Sequence, residues 1–446
     1  MLPYRKILTG IFFLAFVLRF GYGVVENVPV AVDARVYQGI ALNLMQGLGF
    51  AESPEVPRYM DGSIRVVGPA YPIFLGSLFW LFGPHLWIVW MIQAFLGAAT
   101  CVVFANLGKD AFESKTGVAA AALAALAFDL IIYPGMLLTE TLYLFLVAMA
   151  LLALSRAMRA DSLGWALAAG ILVGLAALTR PTILLFAALL AMWRAAIRSW
   201  RTVVPLLMGI AFMLLPWGAR NFLIYGEVIL VSPNGGWNFW LGANPEADGS
   251  YPNVIPVEIA RTLRREPYLQ QSRTGYARGM QFIKQHPGQY AKILALKLIK
   301  YFSVARTNGW NLHMRGVDRI ISIALSASTT LVLLSLGLLG FFRSFGRRDS
   351  TLVCLILYAG SCILSGLIYT VHARYRLLIF PALIIFAAHG LYELSRCRSG
   401  TGGEPGRWPV EVTFAMSLGI VMLATTIDAM TAASEIQRRL ALLLGP

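Results

Sequence analysis

Of the 446 residues in the chain, 58% are hydrophobic and 13% charged, with a mean hydropathy of +0.68. Soluble domains carry about 25% charged residues, so the composition excludes a soluble enzyme with an anchor and implies a polytopic membrane protein. The formal net charge of +15 would suggest nucleic acid in a soluble chain, but Lys and Arg of a membrane protein sort by membrane side, and no nucleic-acid partner is expected.

Crossing about 30 Å of hydrocarbon takes roughly 20 residues. On that measure the sequence predicts helical spans near 7–24, 86–106, 117–133, 141–156, 164–180, 182–194, 203–218, 319–342, 351–371, 376–392 and 410–427. The result is an all-α polytopic bundle of about 11 spans, within a range of roughly 10 to 13. Arg19 interrupts the first span, and no small-residue cleavage site follows Gly21, so the span is expected to be retained rather than cleaved as a signal peptide. Pro181 between the fifth and sixth spans predicts a tight turn buried in protein. Cys101, Cys354, Cys362 and Cys397 lack metal-ligand spacing, and three of them fall in or beside apolar runs, as core residues do.

With the N-terminus inside, the short inner loops collect Arg5, Lys6, Lys109, Lys115, Arg198, Arg201, Arg347 and Arg348, a positive-inside pattern. The basic excess is then topogenic. Two long segments, 25–85 and 219–318, fall on the opposite face, and the stretch 284–304, with its lysines among Ile, Leu, Tyr and Phe, reads as an amphipathic interfacial helix. The expected organisation is a transmembrane module over 1–218 with its first outer loop at 25–85, and an outer loop domain over 219–318. C-terminal helices follow over 319–428, with a short tail over 429–446.

The outer face gathers both signs of charge. Asp33 lies just beyond the first span and Glu140 at the start of the fourth, while Arg180, Arg220, Arg374 and Arg376 sit at outer helix ends. An acid beside hydrocarbon costs a few kcal/mol, roughly, which makes it a functional candidate. An acid at a helix start could equally complement the helix dipole, and an arginine could snorkel to the interface. Chemistry gives the groups a joint use: a carboxylate can deprotonate an attacking hydroxyl, and guanidinium groups can fork onto a phosphate and stabilise the charge that develops as it departs. A P-loop, a dinucleotide-binding glycine fingerprint, H-E-x-x-H and G-x-S-x-G are all absent from the sequence, which removes support for the corresponding chemistries.

The ordered motifs resemble those of GT-C class integral-membrane glycosyltransferases, similar to the protein O-mannosyltransferases and the lipid A aminoarabinose transferases. They run from Leu18-Arg19-Phe20 and Asp33-x-x-x-Tyr37 through Gly68-Pro69-Ala-Tyr71-Pro72, Leu138-Thr-Glu140 and Leu178-Thr179-Arg180-Pro181. Pro216-Trp217-x-x-Arg220-Asn221, Asn234-Gly-Gly236-x-Asn238-x-Trp240-x-Gly242-x-Asn244-Pro245 and Arg374-Tyr375-Arg376 complete the series. The resemblance implies Asp33 as general base, Glu140 as an orienting acid, and Arg374 with Arg376, His372 and Arg180 around the donor phosphate. Ala34 replaces the second acid found in many relatives, and Gly68 stands where the aminoarabinose transferases carry Lys, with Arg65 as the candidate replacement ligand.

Tyr37 and Tyr71 are candidates for packing on sugar or headgroup, or for interfacial packing. Asn238, Trp240 and Asn244 are candidates for a loop that cups a sugar, or for a Gly-rich turn held at the interface by Trp. No metal and no cofactor are expected. The implied partners are a polyprenyl-phosphate-sugar donor, membrane lipids, and a lipid, glycan or protein acceptor bearing a hydroxyl. The implied reaction inverts the anomeric carbon, at an outward-facing site in the plasma or inner membrane. The alternative is a transporter or flippase of lipid-linked sugars, against which stands the scarcity of charged residues in mid-span.

Overall fold

Without water to hydrogen-bond, an apolar segment in hydrocarbon must satisfy its backbone internally, and a helix does so. The computed structural model describes residues 2–26, 32–50, 67–252, 255–266, 268–305, 316–347, 349–398 and 408–444, and every apolar segment anticipated from hydropathy is helical in it. In chain order the helices are α1 (Leu2–Glu26), α2 (Val32–Met45), α3 (Ala70–Phe82), α4 (Leu86–Ala111), α5 (Ser114–Leu126), α6 (Phe128–Ile132), α7 (Glu140–Ala160), α8 (Leu163–Thr179), α9 (Ile183–Ala196) and α10 (Trp200–Tyr225). There follow α11 (Gly235–Gly242), α12 (Val257–Arg265), α13 (Tyr268–Gln285), α14 (Pro287–Phe302), α15 (Gly316–Ser344), α16 (Ser350–Ile368), α17 (Ala373–Arg376), α18 (Phe380–Arg398) and α19 (Val410–Leu444). Among the described residues, 8 helices are long and apolar enough to cross a membrane, and the bent α5–α6 pair raises the number to 9. The two remaining anticipated spans are the shorter apolar helices α8 and α9.

The break between α5 and α6 has a local cause. Ala127 is extended (φ −63°, ψ 111°), the two pieces meet at 62°, and the last carbonyls of α5 lose their helical partners. Arg19 supplies them: its guanidinium donates to the carbonyls of Ala124 at 2.8 Å and Ala125 at 3.3 Å, and to Ala15 of its own helix at 3.1 Å. The arginine that interrupts the first apolar run is therefore a fully buried helix cap, at 1% exposure.

Helices in lipid associate through close packing rather than through exclusion of water, and small residues permit the approach. A side chain on Gly170 of α8 would strike the Leu206 carbonyl of α10, and one on Gly390 of α18 would strike the Leu336 carbonyl of α15. At the Lys- and Arg-rich end of the bundle, polar contacts finish the job: Arg343 of α15 pairs with buried Glu393 of α18 at 3.2 Å, and Ser155 of α7 meets Thr351 of α16 at 2.8 Å.

Beyond the opposite end lie α11 to α14. The expected amphipathic helix near 284–304 is α14, but its lysines do not all face water: Lys297 and Lys300 are 0% and 2% exposed. The segment leading into α17 is joined to the loop before α12 by an isolated parallel bridge, Ser250 to Val371.

Candidate active site

Four elements deliver one charged side chain each to the same end of the bundle. Asp33 is in the first turn of α2 and Glu140 is the first residue of α7, both where a negative charge complements the helix dipole. Arg180 follows the last residue of α8 in extended conformation (φ −148°, ψ 115°), as a residue before proline favours. Arg374 rides on the single turn of α17, whose N-terminus is capped by His372: the imidazole Nδ1 accepts from the Arg374 backbone N–H at 3.1 Å.

These side chains form one network. Arg374 donates from Nη1 to Asp33 Oδ2 at 2.7 Å, from Nε to Glu140 Oε1, and from Nη2 to Glu140 Oε2 at 3.2 Å. Arg180 donates to Glu140 Oε1 at 2.7 Å and to the Thr139 hydroxyl at 2.8 Å, and its guanidinium lies 5.8 Å from the Tyr375 ring. Glu140 is completely buried between two arginines, whereas the Asp33 side chain is 34% exposed. Two acids of different accessibility thus share one guanidinium. Glu140 contacts both arginines, and Asp33 keeps part of its side chain at the surface.

The turn that presents Glu140 is itself braced. Gln93 of α4 donates its amide to the carbonyls of Pro134 at 2.9 Å and Met136 at 2.8 Å and accepts from the Tyr71 hydroxyl at 3.1 Å. Tyr71 is fully buried and meets the Tyr37 ring edge-on at 5.3 Å; burial raises the Tyr37 phenol above its ordinary value. Neither Gln93 nor Thr139 stands out in the sequence, since an amide within an apolar run and a threonine beside an acid have many uses.

The other expected site residues make local contacts of their own. Arg376 is buried and donates to the carbonyl of Ser303. Arg220 stacks 4.5 Å from the Trp217 ring and donates to the carbonyl of Phe50 at 3.3 Å. The Asn244 amide is spent on the carbonyls of Trp240 and Leu241 at 2.8 and 3.0 Å, and that of Asn238 on Asn234 at 3.0 Å. Trp240 is buried against Leu241 and Ile259. Arg65 lies outside the described residues. A side chain at Gly68 would collide with the Leu178 carbonyl of α8, so the backbone itself packs against α8 at this position. Among the described residues, no three of His, Cys, Asp and Glu gather as a metal site would require.

Residues 66–218 match the family described as dolichyl-phosphate-mannose-protein mannosyltransferase. Comparison with curated protein sequences finds no match. The crystal structure of the Archaeoglobus fulgidus oligosaccharyltransferase in the apo form is similar over 95% of this chain and 55% of its own, at 15% identity and a TM-score of 0.52. The same enzyme tethered with an acceptor peptide containing the NVT sequon is similar over 95% of this chain and 54% of its own, at 13% identity and a TM-score of 0.52. ArnT from Cupriavidus metallidurans bound to undecaprenyl phosphate is similar over 96% of this chain and 88% of its own, at 14% identity and a TM-score of 0.40. The chain thus spans about half the length of the oligosaccharyltransferase. At these identities the likeness to the oligosaccharyltransferase is one of fold, and with it the chain is an integral multi-pass membrane protein with the fold of the GT-C class of glycosyltransferases.

Proposed function

We propose that the chain is a glycosyltransferase that moves a sugar from a polyprenyl-phosphate carrier to a hydroxyl-bearing acceptor. The observation that carries this reading is the contact of an accessible carboxylate, Asp33, with a guanidinium, Arg374, which a buried second acid holds from its other edge. Transfer from a lipid phosphate needs a base for the acceptor proton and a fixed cation for the leaving group, and these are adjacent here. The acceptor oxygen forms a bond to the anomeric carbon while the bond from that carbon to the phosphate oxygen breaks. The electron pair stays on the phosphate and the acceptor proton passes to Asp33. Attack opposite the departing phosphate inverts the anomeric carbon.

Arg374 serves both ends of this exchange. Its Nη1 edge faces Asp33, and the edge carrying Nε is held by Glu140, so its planar fork is oriented before any phosphate arrives. The family matched over 66–218 is described by a dolichyl-phosphate-mannose donor, which supports a polyprenyl-phosphate-linked sugar. The acceptor is a lipid, glycan or protein hydroxyl, and the basic residues at the far end of the bundle support an outward-facing site.

The test is the lipid that accompanies the protein. Purified in mild detergent, the protein should carry polyprenyl phosphate or its sugar ester, identified by mass spectrometry, and should bind added undecaprenyl phosphate. A preparation that carries neither lipid and does not bind the added one would overturn the reading.

A further inference from the structure

Two buried lysines on α14 have no part in the chemistry above: Lys297 holds the end of the helix that leads to Arg374, and Lys300 holds the loop that pairs with that segment. Lys297 Nζ donates to the Leu367 carbonyl at 2.8 Å, in the last turn of α16, where helix carbonyls lack intrahelical partners. Lys300 Nζ donates to Asp248 Oδ2 at 2.8 Å, to the Ser250 hydroxyl at 2.9 Å and to the Asp248 carbonyl. The loop so gathered is then paired with Val371: the Val371 N–H donates to the Gly249 carbonyl at 3.1 Å, and the Tyr251 N–H to the Val371 carbonyl at 3.2 Å. At the end of α14, the Ser303 carbonyl accepts from Arg376.

A buried ammonium is tolerated only when it is hydrogen-bonded, so each lysine fixes its acceptors in place. The grips fall at Leu367, Val371 and Arg376, on both sides of Arg374. We infer that Lys297 and Lys300 make α14 a splint that holds Arg374 against Asp33 and Glu140, so that both lysines are positioning residues for the phosphate-binding arginine. The consequence for ligand binding rests on the role proposed above for Arg374; the splint itself does not.

The experiment separates the two. In the whole chain with Cys101, Cys354, Cys362 and Cys397 replaced by Ala, Ser250→Cys and Val371→Cys place a disulfide across the bridge and leave Lys300 its two contacts with Asp248. Without ligand, oxidation should cross-link this pair rapidly when Lys300 is present and about 10-fold more slowly with Lys300→Met. Uncross-linked Lys300→Met should bind undecaprenyl phosphate about 10- to 100-fold more weakly, the scale of loss that ångström-level misplacement produces. The completed disulfide should restore binding, and dithiothreitol should remove the gain.

An unchanged cross-linking rate with unchanged affinity would overturn the splint, as would a lost affinity that the disulfide fails to restore. If Lys300→Met does not fold, Asp248→Asn, at a side chain 59% exposed, provides both readouts while leaving Lys300 the Asp248 carbonyl as acceptor. If the unmutated protein does not bind undecaprenyl phosphate, the role of Arg374 falls and the cross-linking rate alone decides the splint.

Discussion

Asp33 and Glu140 bind the same guanidinium, yet removing their charges should have opposite signatures. Asp33 is partly open, so Asn there costs little stability, and loss of a general base should reduce transfer by about 10² to 10⁴. Glu140 is enclosed between Arg180 and Arg374, and breaking a buried pair from one side costs about 3–5 kcal/mol because it strands the partner charge. Glu140→Gln should therefore lower the melting temperature strongly, whereas Asp33→Asn should melt like the unmutated protein and fail to turn over. Turnover by purified Asp33→Asn would remove Asp33 as the base. Arg374→Lys keeps a charge but loses the planar fork that spans both acids, so it should weaken polyprenyl-phosphate binding and transfer, and Arg374→Ala should do so more severely. Equal affinity and rate for Arg and Lys, measured in one detergent, would reduce Arg374 to an interfacial anchor. These four charges could be picked out in the sequence because each sits at the end of an apolar run, and the two arginines do so on the side that the positive-inside trend disfavours. Their hydrogen bonds could not, because they span up to 341 residues of separation.

At the level of elements, hydropathy located the helices well and the purposes of their buried cations poorly. Arg19 reads as an interruption of α1, and only the break at Ala127, more than a hundred residues away, explains it as a cap. The lysines of α14 read as the polar face of an interfacial helix because their spacing is that of an amphipathic helix, while the elements that cover Lys297 and Lys300 come from distant parts of the chain. Burial pushes Lys297 down to about 8, whereas a lysine in an unfolded chain titrates near about 10.4. Between those values the unfolded state binds more protons than the folded one, so this group makes stability rise with pH across that window, and its cost is fully present below pH about 8. The gain is on the order of 3 kcal/mol. Lys297→Met should flatten the alkaline rise in melting temperature measured from about pH 7.5 to 10.5. Asp248 behaves in the opposite sense: partial desolvation disfavours its charge even though the side chain is 59% exposed, but Lys300 and the Ser250 hydrogen bonds outweigh that and bring the carboxyl down to about 2. Its contribution is present above the ordinary carboxylate range near about 4 and is lost as pH falls toward 2.

For the whole molecule, the distribution of charge sets the orientation that the proposed chemistry needs. The cluster of Asp33, Glu140, Arg180 and Arg374 contains two acids and two arginines, so the formal excess of +15 lies outside it. Much of that excess sits at the other end, where α9 meets α10 and α15 meets α16, on residues such as Arg198, Arg201 and Arg347. Lys and Arg in short loops favour the inner side of the membrane, which would place α11 to α14 and the cluster outside. Single cysteines in the Cys-free background test this directly. Glu246 and Lys284 on the site side, and Arg198 and Arg347 on the other, are all exposed; Asn244, at 3% exposure, would be a poor reporter. An impermeant thiol reagent applied to intact cells should label Glu246→Cys and Lys284→Cys at once, and Arg198→Cys and Arg347→Cys only after the membrane is opened. The reverse pattern would turn the site inward, and the sugar donor would then have to be one presented on the cytoplasmic leaflet.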